Sequence, residues 1–153
     1  MPSTPISVLV IERHPLMRES LCAAINEEAD LRVAEPAVSM VSAFRLEVSN
    51  HHDVFFLAKK PDLVLLALGN PGREDLQALA HLCTELPGTP ILALISDEVP
   101  GQAQAALQHG ARGVISKSAA RADLLQALRN IHINAPLTLP KATHGSFYRG
   151  EPS

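Results

Sequence analysis

The sequence predicts an α/β fold built on a doubly wound, five-stranded parallel sheet with strand order 2-1-3-4-5. Short apolar runs alternate with segments of helical periodicity, which is typical of right-handed βαβ crossovers onto one sheet. The run at 63–68 is apolar at every position, as expected for a central strand covered on both faces. The chain has 153 residues, of which 46% are hydrophobic and 19% charged, so it can form one domain with its own core.

The amino-terminal part predicts two strands and two helices. The β-branched run at 6–11 indicates a buried strand, and residues 31–37 indicate a second one. Pro15 fits the first turn of a helix that runs to about Ala29. A second helix is expected over about 51–60, capped by Ser49 or Asn50 and ended by Pro61. The positions with helical spacing in the first helix are Leu16, Leu21, Ala24, Ile25 and Glu28.

The remaining elements follow in the same alternation. Strands are predicted at 62–67, 91–95 and 113–116, and helices at about 74–85, 102–109 and 120–131. Turn residues separate them, with 69–72 and 87–90 rich in Gly and Pro and with Gly110 placed to end a helix. The predicted inward positions are Leu76, Leu79, Ala80 and Cys83 in the third helix, and Leu124, Leu125, Leu128 and Ile131 in the last.

Composition excludes several classes of protein. The net charge of −3 provides no overall positive field that would attract nucleic acid. The longest strongly apolar run has six residues, whereas a membrane-spanning helix needs about 20. No secretory signal is visible, so a cytoplasmic location is expected. Cys22 and Cys83 are expected to be reduced, and the seven histidines lack metal-ligand spacing, so no metal, cofactor or catalytic residue is predicted.

In a doubly wound sheet the working site lies at the carboxyl ends of the strands. The residues at those ends here are Glu12, Arg13, Ala67, Gly69, Ile95, Ser96 and Lys117.

The sequence around these strand ends resembles that of a known protein family. The stretches at 8–18, 61–72 and 110–117 resemble the first strand, central strand and last strand of a response-regulator receiver domain. His14-Pro15 and the Gly-Ala-Arg-Gly sequence at 110–113 resemble the subgroup of these receivers in which a helix-turn-helix output domain follows the receiver. The resemblance covers about 6–132 and implies a flavodoxin-like or CheY-like (βα)5 three-layer sandwich acting in two-component phosphorelay signalling.

The family's chemistry is specific. Two acidic residues after the first strand and an aspartate ending the third hold Mg²⁺, and that aspartate accepts a phosphoryl group. A lysine after the fifth strand and a hydroxyl after the fourth contact the phosphoryl oxygens, and an aromatic residue three positions before the lysine switches rotamer.

When the family's functional residues are matched to this sequence position by position, the resemblance implies a degenerate phosphorylation pocket. Ala67 stands at the phosphoacceptor position, where a methyl group offers neither nucleophile nor metal ligand. Arg13 replaces the second acid, Ile95 stands at the hydroxyl position beside Ser96, and Val114 stands at the aromatic position. Only Glu12 and Lys117 match the usual set.

Arg13 has two predicted arrangements. In one, Arg13 and Lys117 face Glu12 as fixed cations that substitute for the charge changes of phosphorylation. In the other, Arg13 turns out to solvent.

The domain is expected to span 1–132, with an insertion at about 38–49 and a linker or flexible tail over 133–153. The alternating pattern within 38–49 favours an extension of the second strand, with a helix as the rival and a local elaboration packed on its own domain as another alternative.

The resemblance implies a regulator that controls an output activity independently of phosphorylation, and transcription is the first candidate for that activity. A homodimer or a signalling protein is the expected partner, and DNA is contacted only through an output domain that this chain does not contain. The alternatives are a stand-alone pseudo-receiver adaptor and an enzyme on a flavodoxin-like fold. Candidate interface residues on the helices flanking the fifth strand are Gln102, Ala106, His109, Arg121, Gln126 and Arg129.

Overall fold

The computed structural model describes residues 4–34, 61–69 and 72–133, and the backbone of residues 148–149. Five strands form a parallel sheet of order β2-β1-β3-β4-β5, which confirms the predicted topology. The strands are β1 (Ile6–Ile11), β2 (Leu31–Val33), β3 (Leu63–Ala67), β4 (Ile91–Ile95) and β5 (Gly113–Ser116), and β6 (Tyr148–Arg149) adds an antiparallel strand beside β5. The helices among the described residues are α1 (Pro15–Asn26), α2 (Arg73–Glu85), α3 (Gln102–Gln108) and α4 (Arg121–His132).

Alternation of side chains along the strands divides the core into two layers. One layer joins Val8, Leu65 and Ile115 to the buried sides of α1 and α4. The other joins Leu9 and Leu66 to α2 and α3. Both faces of the sheet are therefore covered, which explains why β3 is buried at all five positions.

Ion pairs connect α4 to the turn between α1 and β2. The Arg129 guanidinium lies 2.6 Å from a Glu28 oxygen and 2.7 Å from Asp30 Oδ2, and Arg121 pairs with Glu27. The hydrogen bond from Arg129 holds the pKa of Asp30 below its ordinary value. Because Asp30 precedes β2 and Arg129 lies in the last turn of α4, the Arg129 contacts place the carboxyl end of α4 at the amino edge of the sheet.

Helix faces were predicted less accurately than strands. Leu124, Leu125, Leu128 and Ile131 are buried as expected. Leu16, placed on the buried side of α1 by its spacing, lies in the first turn of that helix and is 80% exposed. Ala80 in α2 is also exposed, and Ala78 and Leu82 are buried instead. The predicted insertion at 38–49 and helix at 51–60 lie outside the described residues, as does most of the predicted tail.

Candidate functional site

The carboxyl ends of β1, β3, β4 and β5 meet at one edge of the sheet, as predicted. Glu12 follows β1 and is 3% exposed. Its Oε1 lies 3.0 Å from His14 Nδ1 and 3.3 Å from the His14 backbone nitrogen. The Glu12 carboxylate is thus held by the residue two positions further along the chain.

Arg13 adopts neither of its predicted arrangements, because its guanidinium forms an ion pair with Asp75. Asp75 is 1% exposed, and its Oδ2 accepts a hydrogen bond of 2.5 Å from the Gly69 backbone N–H. It lies in the first turn of α2, where the helix dipole favours a carboxylate. A buried acid requires a cationic partner, and Arg13 supplies it across the ends of β1 and β3.

Sequence reasoning missed Asp75. The available signal was an acidic residue in the first turn of a helix that starts at the functional edge. Its role depends on the path of the loop after β3, which no periodicity predicts. A carboxylate, a guanidinium and a backbone amide therefore form a cluster that this chain assembles from its own residues.

Lys117 lies on the other side of this edge. It lines a groove of about 190 Å³ with Met17 and Leu21 of α1 and Arg121 of α4. Its expected pairing with Glu12 is not seen, and across residues 4–34, 61–69 and 72–133 its ammonium forms no ion pair. Arg13 and Lys117 therefore have different surroundings, because Arg13 is paired with Asp75 and Lys117 lines the groove.

Gln102 connects the loops that follow β3 and β4. Its Oε1 accepts a hydrogen bond of 2.7 Å from the Ser96 backbone N–H, and its Nε2 donates one of 2.8 Å to the Gly69 carbonyl. Gly69 also donates to Asp75, so one loop position carries both contacts. Gln102 and the Arg13–Asp75 pair thus form one hydrogen-bonded network, the Gly69 network.

The residues at the ends of β4 and β5 have separate contacts. Ile95 and Val114 are buried in the core layer shared with α2 and α3. The Ser96 hydroxyl accepts a hydrogen bond of 3.2 Å from the Glu98 backbone N–H. Asp97 accepts hydrogen bonds from the hydroxyls of Ser116 and Ser118, which lower its pKa.

Two of the candidate interface residues are corrected. Gln102 is buried because its amide serves the Gly69 network, and Ala106 is buried in the core, so neither offers a surface to another chain in this conformation. His109 and Gln126 are exposed, while Arg121 and Arg129 are engaged in the ion pairs to the α1–β2 turn.

Gly72 gives a direct test of the Gly69 network. Its φ is +86°, and an added Cβ would lie 2.8 Å from the Gly69 carbonyl oxygen and 2.7 Å from Gln102 Nε2. Gly88 has a matching φ of +85° but no atom within 4 Å of an added Cβ. Gly88→Ala is expected to cost about 1 kcal/mol for its left-handed backbone. Gly72→Ala is expected to cost about 2 kcal/mol more through crowding, measured by urea unfolding. Equal losses would contradict the close approach at Gly69.

The family of the chain follows from comparison with known proteins. The sequence family model of the response regulator receiver domain matches residues 8–129, which is well over half of the chain. The chain belongs to the response regulator receiver domain family. Its sheet order and the position of its site edge agree with this assignment.

Two curated proteins illustrate what this chain is similar to. A positive alginate biosynthesis regulatory protein from Pseudomonas aeruginosa is 34% identical and aligns with 92% of this chain and 55% of its own length. A glycerol metabolism activator from Pseudomonas putida is 29% identical, over 87% of this chain and 56% of its own length. The receiver domain spans about half the length of these curated relatives.

A solved structure shows the same fold. The signal receiver domain of the response regulator NarL from Mycobacterium tuberculosis superposes with a TM-score of 0.65 at 25% identity, covering 87% of this chain and all of that one. Of the helices in the described residues of this receiver, none is long and apolar enough to cross a membrane.

The residues at the site edge do not fit the Mg²⁺ that receivers of this family hold. Mg²⁺ takes oxygen ligands, and Glu12 is the only carboxylate here at the positions matched to the family's metal ligands. Arg13 is a cation, and Ala67 has no oxygen in its side chain. Within residues 4–34, 61–69 and 72–133, no group of three acidic, histidine or cysteine side chains is placed to hold a metal.

Proposed function

We propose that this chain is an atypical receiver that accepts no phosphoryl group. In this proposal it regulates an output activity, of which transcription is the leading candidate, by associating with another protein independently of phosphorylation. In this proposal its partner is a second copy of the chain or a signalling protein, and it acts in the cytoplasm. It catalyses no reaction of its own.

The observation that carries the proposal is the end of β3. Ala67 is the last residue of that strand, so it lies at the edge where the parallel strands end. Its methyl group can neither attack a phosphorus atom nor bind a cation. Arg13, which stands at another of the family's metal-ligand positions, has no side-chain oxygen to offer a cation.

The Gly69 network supports a receiver that stays in one state. In this receiver the loops after β3 and β4 are joined by Gln102, and the loop after β3 is joined to β1 by the Arg13–Asp75 pair. All of these groups belong to the chain and remain whether or not phosphate is present. The arrangement at the site edge is therefore expected to be independent of a phosphodonor.

The relatives support transcription as the output. One relative is named as a regulator of alginate biosynthesis and another as an activator of glycerol metabolism. A relative from Bacillus subtilis, 27% identical, is named as a transcriptional regulatory protein. Because this receiver matches about half of each, DNA contact is assigned to a separate output domain and control to association of the receiver.

Light scattering after gel filtration tests the proposal, run with and without Mg²⁺ and acetyl phosphate. The expected result is a dimer with the same mass in both conditions. A receiver that retains its phosphoacceptor aspartate, treated in parallel, shows that the phosphodonor is active. A monomer in both conditions would favour an adaptor that binds a different protein, and a phosphodonor-dependent mass would contradict the proposal.

A further inference from the structure

The outer edge of β5 is already occupied by the chain itself. β5 is the last strand of the parallel sheet, and the side of it away from β4 would otherwise present unpaired backbone groups. β6 lies along that side in the antiparallel direction, with Gly113 opposite Arg149 and Val114 opposite Tyr148. The sequence pattern around residues 148–149 did not predict this strand.

We propose that the outer edge of β5 is a strand-addition site, and that residues 148–149 of the chain's own carboxyl-terminal segment occupy it. All four residues of β5 are buried, so its side chains offer little to a partner. Recognition at this edge must then come from main-chain hydrogen bonds to an extended peptide. Gly113 suits such a contact, because a strand glycine allows another backbone to approach closely.

The path of the chain favours occupation by the same molecule. The ion pairs of Arg129 place the end of α4 at the amino edge of the sheet. β6 pairs with Gly113 and Val114, which are the first two residues of β5 and lie at that same edge. Residues 133–147 connect the two, and 15 residues can span up to about 50 Å when fully extended.

Occupation of this edge has a consequence for binding. A partner that adds a strand to β5, whether a second copy or another protein, must first displace residues 148–149. The segment therefore acts as a competitor that keeps the sheet edge closed. This inference does not involve phosphate, so it can fail while the proposed function stands, and the reverse also holds.

Amide hydrogen exchange by NMR tests the inference on the full chain and on Tyr148→Pro. Proline removes a backbone donor and is poorly tolerated within a strand, whereas the control Tyr148→Val keeps the donor and favours strand geometry. We expect the amides of Gly113 to Ile115 that face β6 to exchange about tenfold faster in Tyr148→Pro and to be unchanged in Tyr148→Val.

Two backbone amides serve as an internal reference for folding. The Arg112 and Lys117 amides donate to the Ile91 and Ile95 carbonyls of β4, so their protection should be the same in every variant. A chain ending at Ile133 should show the same loss as Tyr148→Pro, and a synthetic peptide of residues 145–153 should restore protection when added to it.

Two results would overturn the inference. In one, the outer amides of β5 exchange at the same rate in the full chain and in both altered chains while the Arg112 and Lys117 amides stay protected. In the other, protection of the outer amides in the full chain rises with protein concentration, which would assign the strand to a second copy.

Discussion

Arg13→Ala is expected to lower the free energy of unfolding by about 2–3 kcal/mol, because it leaves a buried carboxylate without its cation. Asp75 is 1% exposed, whereas the Arg13 side chain is 35% exposed. Asp75→Asn should therefore cost less than Arg13→Ala, since a freed Arg13 can be hydrated and asparagine can still accept the Gly69 hydrogen bond. Urea unfolding measures both losses.

The control for this prediction is the exposed ion pair of Arg121 with Glu27. Their side chains are 51% and 65% exposed, and Arg121→Ala is expected to cost less than about 1 kcal/mol. If Arg13→Ala and Arg121→Ala destabilised the protein equally, Asp75 would not depend on Arg13, and the Gly69 network would lose its main support.

Leu65→Ala is expected to cost about 3–5 kcal/mol through lost burial and the cavity left in the core. Leu65 is fully buried at the middle of β3, in the core layer shared with α1 and α4. Leu16→Ala is the matched control, because it makes the same truncation at a side chain that is 80% exposed. Its cost should stay within about 0.5 kcal/mol. A comparable loss for Leu16→Ala in urea unfolding would mean that Leu16 is covered by some other part of the chain.

The strands were predictable because their burial on both faces produces continuous apolar runs. β1, β4 and β5 begin and end at the predicted residues, and β3 differs by one residue at its start. The order 2-1-3-4-5 was the natural choice for a doubly wound sheet, and the structure confirms it. Helix faces were harder to predict, because Leu16 continues the apolar spacing of α1 and yet lies in an exposed first turn of that helix.

The site was predictable in position but not in its contacts. Glu12, Arg13, Ala67 and Lys117 could be assigned to one edge, because parallel strands end there together. The partner of Arg13 could not be predicted, since Asp75 is 62 positions away and approaches through the loop after β3. Gln102 was assigned to a surface for a similar reason, because its two backbone partners belong to loops with no periodic pattern. β6 depends on pairing of only two residues, too short to give a strand pattern.

Intact-mass spectrometry after incubation with acetyl phosphate and Mg²⁺ shows whether this chain accepts a phosphoryl group. A receiver with its phosphoacceptor aspartate, treated identically, confirms that the reagent transfers its phosphoryl group. This chain is expected to keep its unmodified mass, because Ala67 offers no nucleophile at the end of β3. Addition of one phosphoryl group, located by fragmentation to a carboxylate at the site edge such as Glu12 or Asp75, would contradict it.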